Sequence, residues 1–374
     1  MTLGRCDARH GAGGVVMRSP SRRFRAGRTA PLPYGVLAPS LSCNLLRSCP
    51  CAVCGITDRL VCDDGTATYL RPRGDFLRKV ALRPYALLPR QYDDRKVLAT
   101  TVDAWGRTLW LLCPDAELVR NRRGKPRPNP RSYPYNALLV IGDAGAVQER
   151  VLRDVTLLPI RLDALPNGRL VLHGHGEVGE RNALIYGRDG RLRRSFVMGS
   201  AIEYMMADRH NNLWSAYFDE GVYTDPISSA GLIRWDSGGN QLWGYSAPPG
   251  VEYIDTVCAF NVTDKVAWAT YYPTYPLLEV HANGHFRLRK NPVRSPLGMA
   301  VQADRMLMLG GGHHDHWGRL HYFRVTDEEA VVVEEAEVTM PNGDPLRRYA
   351  RPVGRGQHLY LRGSSTRQWY VLEA

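Results

Sequence analysis

An all-β fold is predicted by three features of this 374-residue chain. Short runs rich in Val, Ile, Leu, Tyr and Trp alternate with turns rich in Gly, Asp and Asn. Two kinds of hairpin alternate along the chain, with six copies of each kind. One apolar position of the second kind recurs as Trp110, Val171, Trp214, Trp268, Met308 and Tyr360, at spacings of 40 to 61 residues. Four-stranded repeats of about 40–50 residues are the units of β-propellers. The predicted architecture is therefore a six-bladed β-propeller of four-stranded antiparallel blades. Strands from the N- and C-terminal ends would share one blade and close the ring. A β-sandwich or two smaller β domains is the competing arrangement.

Residues 1–62 stand apart from the rest. They have no sustained period and are rich in Arg, Gly, Pro and Ser, so they read as a disordered or non-native extension, with Met17 as an alternative start. Nine Arg face only Asp7 and Asp58 up to residue 60, a net +7 out of +12 for the whole chain. Lys occurs only five times in the chain, and such an Arg bias is what a GC-rich coding sequence yields without selection for phosphate binding. A nucleic-acid partner is not expected, nor a membrane partner, because no apolar run reaches the roughly 18 residues of a spanning helix. A cytoplasmic monomer is expected. Export is the alternative: Ser21-Arg22-Arg23-Phe24 is close to a twin-arginine signal, and Leu41-Ser42-Cys43 is close to a lipoprotein site. The apolar stretch such a signal needs is interrupted by Pro31, Pro33 and Pro39.

The predicted propeller occupies 63–374. The first hairpin kind carries Gly or Asp-Gly in its turn, which supplies the positive φ that tight hairpins need. Its copies span 68–80, 137–151, 183–196, 232–245, 277–289 and 319–338. The second kind spans 97–112, 160–173, 203–217, 256–271, 298–311 and 349–363. With strands lettered a to d from the centre outward, the second kind supplies a and b and the first supplies c and d. The strand at 368–372 competes with 69–71 for the c position of the shared blade. Trp110, Trp214 and Trp268 recur in phase and are expected to pack blade against blade. Cys258 lies in an apolar strand pattern and is expected to be a small buried hydrophobe. Cys51 and Cys54 have CxxC spacing but lack the second ligand pair of a zinc site.

Loops on a rigid scaffold carry function, so the b–c and d–a connections, which share one face, are read together. The b–c loops are 113–136, 174–182, 218–230, 272–276, 312–318 and 363–367. The first contains the basic, Pro-rich run 120–131, a solvated loop or a contact for an acidic partner. The fifth contains His313, His314, Asp315 and His316 after three Gly, with His173 and His175 at the corresponding edge of an earlier blade. Imidazole and carboxylate together suit Zn, Mn, Ni or Fe. These six residues are the candidate metal ligands, against the plain alternative of a polar loop. A second group, Tyr217, Asp219, Glu220, Tyr271, Tyr272 and Glu203, offers carboxylates and aromatic rings to a polar or cationic ligand. Asp93, Asp94, Glu252 and Asp255 add acids at the d–a edges. The chain contains no G-x-S-x-G elbow, P-loop, H-E-x-x-H or strand-linked G-x-G-x-x-G.

At Asp208–Trp214 and around Trp110, the apolar–turn–Leu-Trp pattern resembles propellers of the NHL, two-component-sensor and streptogramin-lyase type. The run YFDEGVY at 217–223, followed by LIRWDSGGN, is similar to a group of bacterial six-bladed propellers. The resemblance covers about 66–374 and implies architecture. Streptogramin lyases use His and Glu with a divalent metal, and no residue-by-residue match to them is found here. Lactonase-like propellers hold calcium with Glu, Asn and Asp, a role for which Glu203 is the candidate without evident Asn partners. The expected function is a binding or interaction module using the b–c/d–a face, with no cofactor. The alternative is a metal-dependent lyase or hydrolase at the channel mouth.

Overall fold

The computed structural model describes residues 61–63, 66–68, 77–114, 118–120, 124, 126–128, 134–311, 317–346, 352–363 and 365–374. The chain divides into two compact units, Met1–Gly74 and Asp75–Ala374. In the first, β1 (Val61–Asp63) pairs antiparallel with β2 (Thr66–Thr68). The second is built mainly from strands.

It begins with β3 (Arg78–Ala81) and β4 (Arg83–Leu87). The first meander then runs β5 (Arg95–Val102), β6 (Thr108–Pro114), β9 (Tyr135–Asp143) and β10 (Ala146–Val155), with the small hairpin β7 (Leu118–Arg120) and β8 (Pro126–Pro128) inserted between its second and third strands. The second is β11 (Pro159–Ala164), β12 (Leu170–Gly174), β13 (Ala183–Tyr186) and β14 (Leu192–Phe196). The third is β15 (Ile202–Ala207), β16 (Asn212–Tyr217), β17 (Leu232–Asp236) and β18 (Gln241–Gly244), with the helix α1 (Asp219–Thr224) in its middle connection. The fourth is β19 (Thr256–Val262), β20 (Val266–Tyr272), β21 (Leu277–His281) and β22 (Phe286–Arg289). The fifth is β23 (Gly298–Gln302), β24 (Arg305–Leu309), β25 (Arg319–Val325) and β26 (Ala330–Thr339). The sixth takes β27 (Pro352–Arg355), β28 (His358–Arg362) and β29 (Gln368–Glu373) from the C-terminal end and β4 from the beginning of the unit.

Eleven of the twelve expected hairpins therefore form, and the first does not. The 68–80 stretch is not a hairpin of the sixth meander. Thr68 pairs with Val61, and Arg78–Ala81 lies parallel to the outer edge of β26. The third place belongs to Gln368–Glu373 and the fourth to Arg83–Leu87. The physical reason is burial. Trp369, Tyr370, Val371 and Leu372 are all buried, whereas β4 leaves its Leu87 62 % exposed, as suits an outermost strand.

Second strands such as β6, β12 and β20 read as nearly continuous apolar runs because both their faces are covered. Every residue of β6 except the last is buried, while β14 is mostly exposed and β18 has no buried residue. Buried side chains gather between consecutive meanders. One cluster joins Leu109 and Leu139 of the first meander to Leu170 and Tyr186 of the second, and others continue to the sixth. A further cluster sets Tyr360, Trp369 and Val371 of the sixth against Trp110 and Val140 of the first. Trp110, Trp214 and Trp268 are buried in these layers, as expected.

The turns repeat one device. Asp103 and Asp208 directly follow a strand and Asp236 ends one, and in each case one carboxylate oxygen accepts the backbone N–H groups two and four residues on, at 2.7–2.9 Å. The other oxygen takes the side chain four residues on, from Arg107, Asn212 or Asn240. The carboxylate replaces the backbone partners that a turn leaves missing.

Where the first strands converge, a buried staple ties the meanders together. Arg355 on β27 donates from Nε to the Val102 carbonyl at 3.0 Å, from Nη1 to the Ala207 carbonyl at 2.7 Å, and from Nη2 to Asp163 at 2.5 Å. It thus reaches the first, third and second meanders from the sixth. Asp163 is fully buried and also accepts the N–H groups of Ala207 and Ala164. Asn261 of the fourth meander donates to the Met299 and Gly356 carbonyls and accepts the Gly356 N–H. Between these contacts Gly354 has no room for a side chain. A Cβ there would sit 2.3 Å from the Met299 carbonyl oxygen and 2.8 Å from that of Phe260.

Candidate functional site

A cavity of about 320 Å³ lies between the first strands. Residues of all six meanders, or of the segment leading into one, line it. They include Thr101, Leu162, Met206, Cys258, Leu297 and Val353. Thr101, Leu162 and Met206 directly precede Val102, Asp163 and Ala207 of the staple in the chain. At the other end of the strands, toward the d–a connections, stand Arg161, Glu203 and Arg362.

These charged groups are partly exposed and held in place. Arg161 donates from Nε and Nη2 to the Ile202 carbonyl at 3.2 and 2.9 Å, and its Nη2 lies 3.7 Å from Glu203. The side chains of Arg161 and Glu203 are 19 % and 31 % exposed. Tyr204 donates its hydroxyl to the Cys258 carbonyl at 2.6 Å, joining the third and fourth meanders beside the cavity. Trp369 reaches the wall from the sixth meander and donates its indole N–H to Thr100 Oγ1 at 2.9 Å. Cys258 is not sealed in the core as expected. It is half-buried at the cavity wall, and burial pushes its thiol up to about 11, so it stays protonated at neutral pH.

The predicted ligand residues separate into two sets. Tyr217 and Tyr271 are completely buried. The Tyr217 hydroxyl donates to the Met198 carbonyl and accepts from Ser215, whose oxygen in turn accepts the Trp235 indole N–H. Burial raises its phenol above the ordinary range. Tyr271 meets the hydroxyl of Tyr245 at 3.0 Å. Both rings serve packing between meanders. Glu203 alone of the predicted set lines the cavity. Asp219 and Glu220 lie in the first turn of α1, with the Asp219 N–H bonded to Thr256 Oγ1 at 3.1 Å, and Tyr272 is exposed. The same surface holds Tyr223, whose hydroxyl donates to Asp255 and meets Tyr253. Neither Tyr223 nor Tyr253 belongs to a strand pattern, so sequence periodicity gave no signal for them.

His313, His314, Asp315 and His316 lie outside the described residues. His173 is buried opposite Arg161 in the strand register, while His175 is exposed. Burial, reinforced by Arg161 and His175, pushes His173 down to about 3 and keeps it neutral. Among the described residues no three His, Cys, Asp or Glu side chains form a metal-holding group. The d–a acids Asp93 and Asp94 pair with Arg367 and Arg95, at 2.6 and 3.9 Å. Among the described residues no helix is long and apolar enough to cross a membrane.

A second cavity, of about 420 Å³, lies at the opposite, a–b-turn end of the strands, with Asp103, Trp105, Asp208, Asp264 and Arg355 in its wall. Arg209 spans this end, donating to the Ala104 carbonyl at 2.9 Å and pairing with Asp264 at 3.5 Å. Its carboxylates are occupied by turns and by Arg209.

No family model and no curated protein matches this chain. Solved structures of β-propeller proteins do resemble it. It is similar to virginiamycin B lyase from Staphylococcus aureus, with 13 % identity, 77 % of this chain and 98 % of that one covered, and a TM-score of 0.41. It is similar to a gluconolactonase from Xanthomonas campestris, with 14 % identity, coverage of 82 % and 99 %, and a TM-score of 0.39. The aldose sugar dehydrogenase of Streptomyces coelicolor, solved with PQQ bound, matches at 13 % identity, 79 % and 97 % coverage, and a TM-score of 0.42. At these identities and scores none of them transfers a residue or an activity to this chain.

Proposed function

We propose that the six meanders are the blades of one closed β-propeller, with β4 completing the last blade, and that the protein is a binding module for a small molecule. The ligand enters from the face of the b–c and d–a loops and occupies the cavity between the first strands. One observation carries this reading: six meanders contribute to a single cavity whose wall mixes apolar side chains with Thr100, Thr101 and charged groups toward one end. A concave site that combines apolar side chains with a few fixed polar groups is the common form of a ligand site. Among the described residues that line the cavity there is no nucleophile–base pair, and binding accounts for what they present without a reaction step.

The test is a thermal-shift screen of small polar metabolites against the wild type and Met206→Trp, which fills the cavity floor. Compounds present at 100 times their Kd stabilise by about 2.7 kcal/mol, a shift of several degrees. The reading expects binders of the wild type that Met206→Trp loses. Binders unaffected by Met206→Trp would place the site elsewhere.

A further inference from the structure

We infer that the surface carrying Phe218, Tyr223, Tyr253 and Tyr272 docks an arginine-bearing segment of a partner protein. None of these four residues lines the cavity, so the inference stands or falls apart from the proposed ligand site.

Exposed rings are the first observation. Of the six exposed aromatic side chains among the described residues, four are these, the others being Tyr85 and Trp105. They come from three connections: α1 with the residue before it, the link from β18 to β19, and the end of β20. Contacts join the three. The Tyr253 hydroxyl meets that of Tyr223 at 2.7 Å, with the rings edge to face at 6.3 Å between centroids, and Tyr223 donates to Asp255 at 2.5 Å. Asp255 also accepts from Thr256, whose oxygen receives the Asp219 N–H, and the Asp255 N–H bonds the Tyr272 carbonyl at 3.3 Å. Beneath them Val222 and Ile254 are buried, and a Cβ on Gly221 would meet the Ser200 carbonyl oxygen at 2.3 Å. The rings are thus held on a packed base without a ligand, which lowers the ordering cost of binding. Apolar groups gathered in this way on an exposed face mark an interaction surface.

Charge selects the occupant. Residues 218–230, 246–256 and 272–276 contain five acids and no Lys, Arg or His, in a chain of net charge +12. Asp225 is buried, but Glu220 and Glu252 are exposed, and with the described residues neither makes a side-chain hydrogen bond or an ion pair. Rings and carboxylates together bind a cation, because the ring quadrupole attracts it and the carboxylate pairs with it. A guanidinium does both at once: it stacks flat on a ring while its fork meets a carboxylate, whereas an ammonium is a more strongly hydrated point charge. Arg294 supplies a local instance, 5.5 Å from the centroid of the Tyr275 ring, which itself meets Tyr272 edge to face. The pattern extends over three connections, so a segment with several cationic side chains covers it and a single ion does not.

Fluorescence anisotropy at low salt with a labelled, capped peptide, Gly-Arg-Gly-Arg-Gly-Arg-Gly, tests this beside its Lys and citrulline counterparts. The Arg peptide is expected to bind, the Lys peptide several-fold more weakly and the citrulline peptide not measurably. A chain of net charge +12 does not attract such a peptide by its overall charge, so binding reports a local site. Glu220→Gln combined with Glu252→Gln should weaken the Arg peptide by roughly three- to tenfold. Glu328→Gln combined with Glu329→Gln, in the exposed turn between β25 and β26, should leave it within about twofold. Tyr253→Leu and Tyr272→Leu should each weaken it by roughly two- to fivefold, while Tyr253→Phe and Tyr272→Phe keep the ring and stay within about twofold. Unfolding midpoints report whether each variant keeps the fold, and the Gln variants change exposed side chains only. No binding of the Arg peptide, equal loss from the two Gln pairs, or Leu variants that bind like the wild type overturns the inference. Arginine amide that competes at the peptide's own affinity makes this a small-cation site and overturns the partner segment.

Discussion

Replacing Arg355 with Met tests whether the buried staple holds the first strands together. The substitution keeps most of the apolar stem and removes the guanidinium. It deletes three hydrogen bonds, to the Val102 and Ala207 carbonyls and to Asp163. Asp163 would remain completely buried, with only the Ala207 and Ala164 N–H groups to support its charge. Breaking a buried pair from one side typically costs about 3–5 kcal/mol, because a charge stays buried without its partner. The cost should also depend on pH in a defined direction. In the wild type, burial already pushes Asp163 up to about 6 against the pull of Arg355. Without Arg355 the folded value rises further, while the unfolded value stays near the ordinary 3.8. The folded variant then holds a proton that the unfolded chain has lost. Its stability must fall as pH rises between those two values, by up to about 1.4 kcal/mol per unit. Denaturant unfolding followed by Trp fluorescence at pH 5 and pH 7 measures both effects. The penalty of Arg355→Met should be larger at pH 7. Adding Asp163→Leu should recover part of it, since an apolar pair leaves no stranded charge. A penalty below about 1 kcal/mol, or one independent of pH, refutes the assignment of Arg355 and Asp163 as a coupled buried pair.

Other expected outcomes follow from the same contacts. Gly354→Ala puts a Cβ against two backbone carbonyls that have no soft side chain to yield, so thermal unfolding should show a loss of about 1–3 kcal/mol or more. Burial keeps His173 neutral when folded, at about 3 against the ordinary 6.5, so its contribution is full above pH 6.5 and lost as pH falls toward 3. By pH 5 that loss is about 2 kcal/mol, and denaturation of His173→Phe should lack this share of the acid sensitivity. Asp208→Ala removes three hydrogen bonds from one turn and should cost about 1–2 kcal/mol, read as a lower denaturation midpoint. Tyr217→Phe should lower stability by about 1 kcal/mol in denaturant unfolding, because its hydroxyl bonds Ser215 and the Met198 carbonyl in a buried network.

The legible part of this chain is the part set by neighbours in sequence. Alternating apolar residues define a strand whatever it packs against, and Asp103, Asp208 and Asp236 build their turns from atoms within four residues. Eleven hairpins could be read for that reason. The 68–80 hairpin was misread because Gly74 and the flanking apolar residues satisfy the same local pattern. Pairing across 290 residues, such as Arg83 with Glu373, is not a local property. Tyr217 and Tyr271 show a similar limit. A Tyr at a strand end points to a ligand or to a neighbouring blade according to which strand is packed behind it.

The sequence alone determined that this chain makes paired hairpins in a repeating order, because backbone propensity, turn chemistry and period-two burial act over a few residues. Tertiary structure decided which strands complete the sixth meander, and that Arg355 meets Asp163, 192 positions away in the chain. It also decided that Arg161, Glu203, Cys258 and Arg362 face one cavity. None of these residues carries a motif. Each acquires its chemistry from being brought, by the convergence of separate meanders, to a place where water is scarce and charges must find partners.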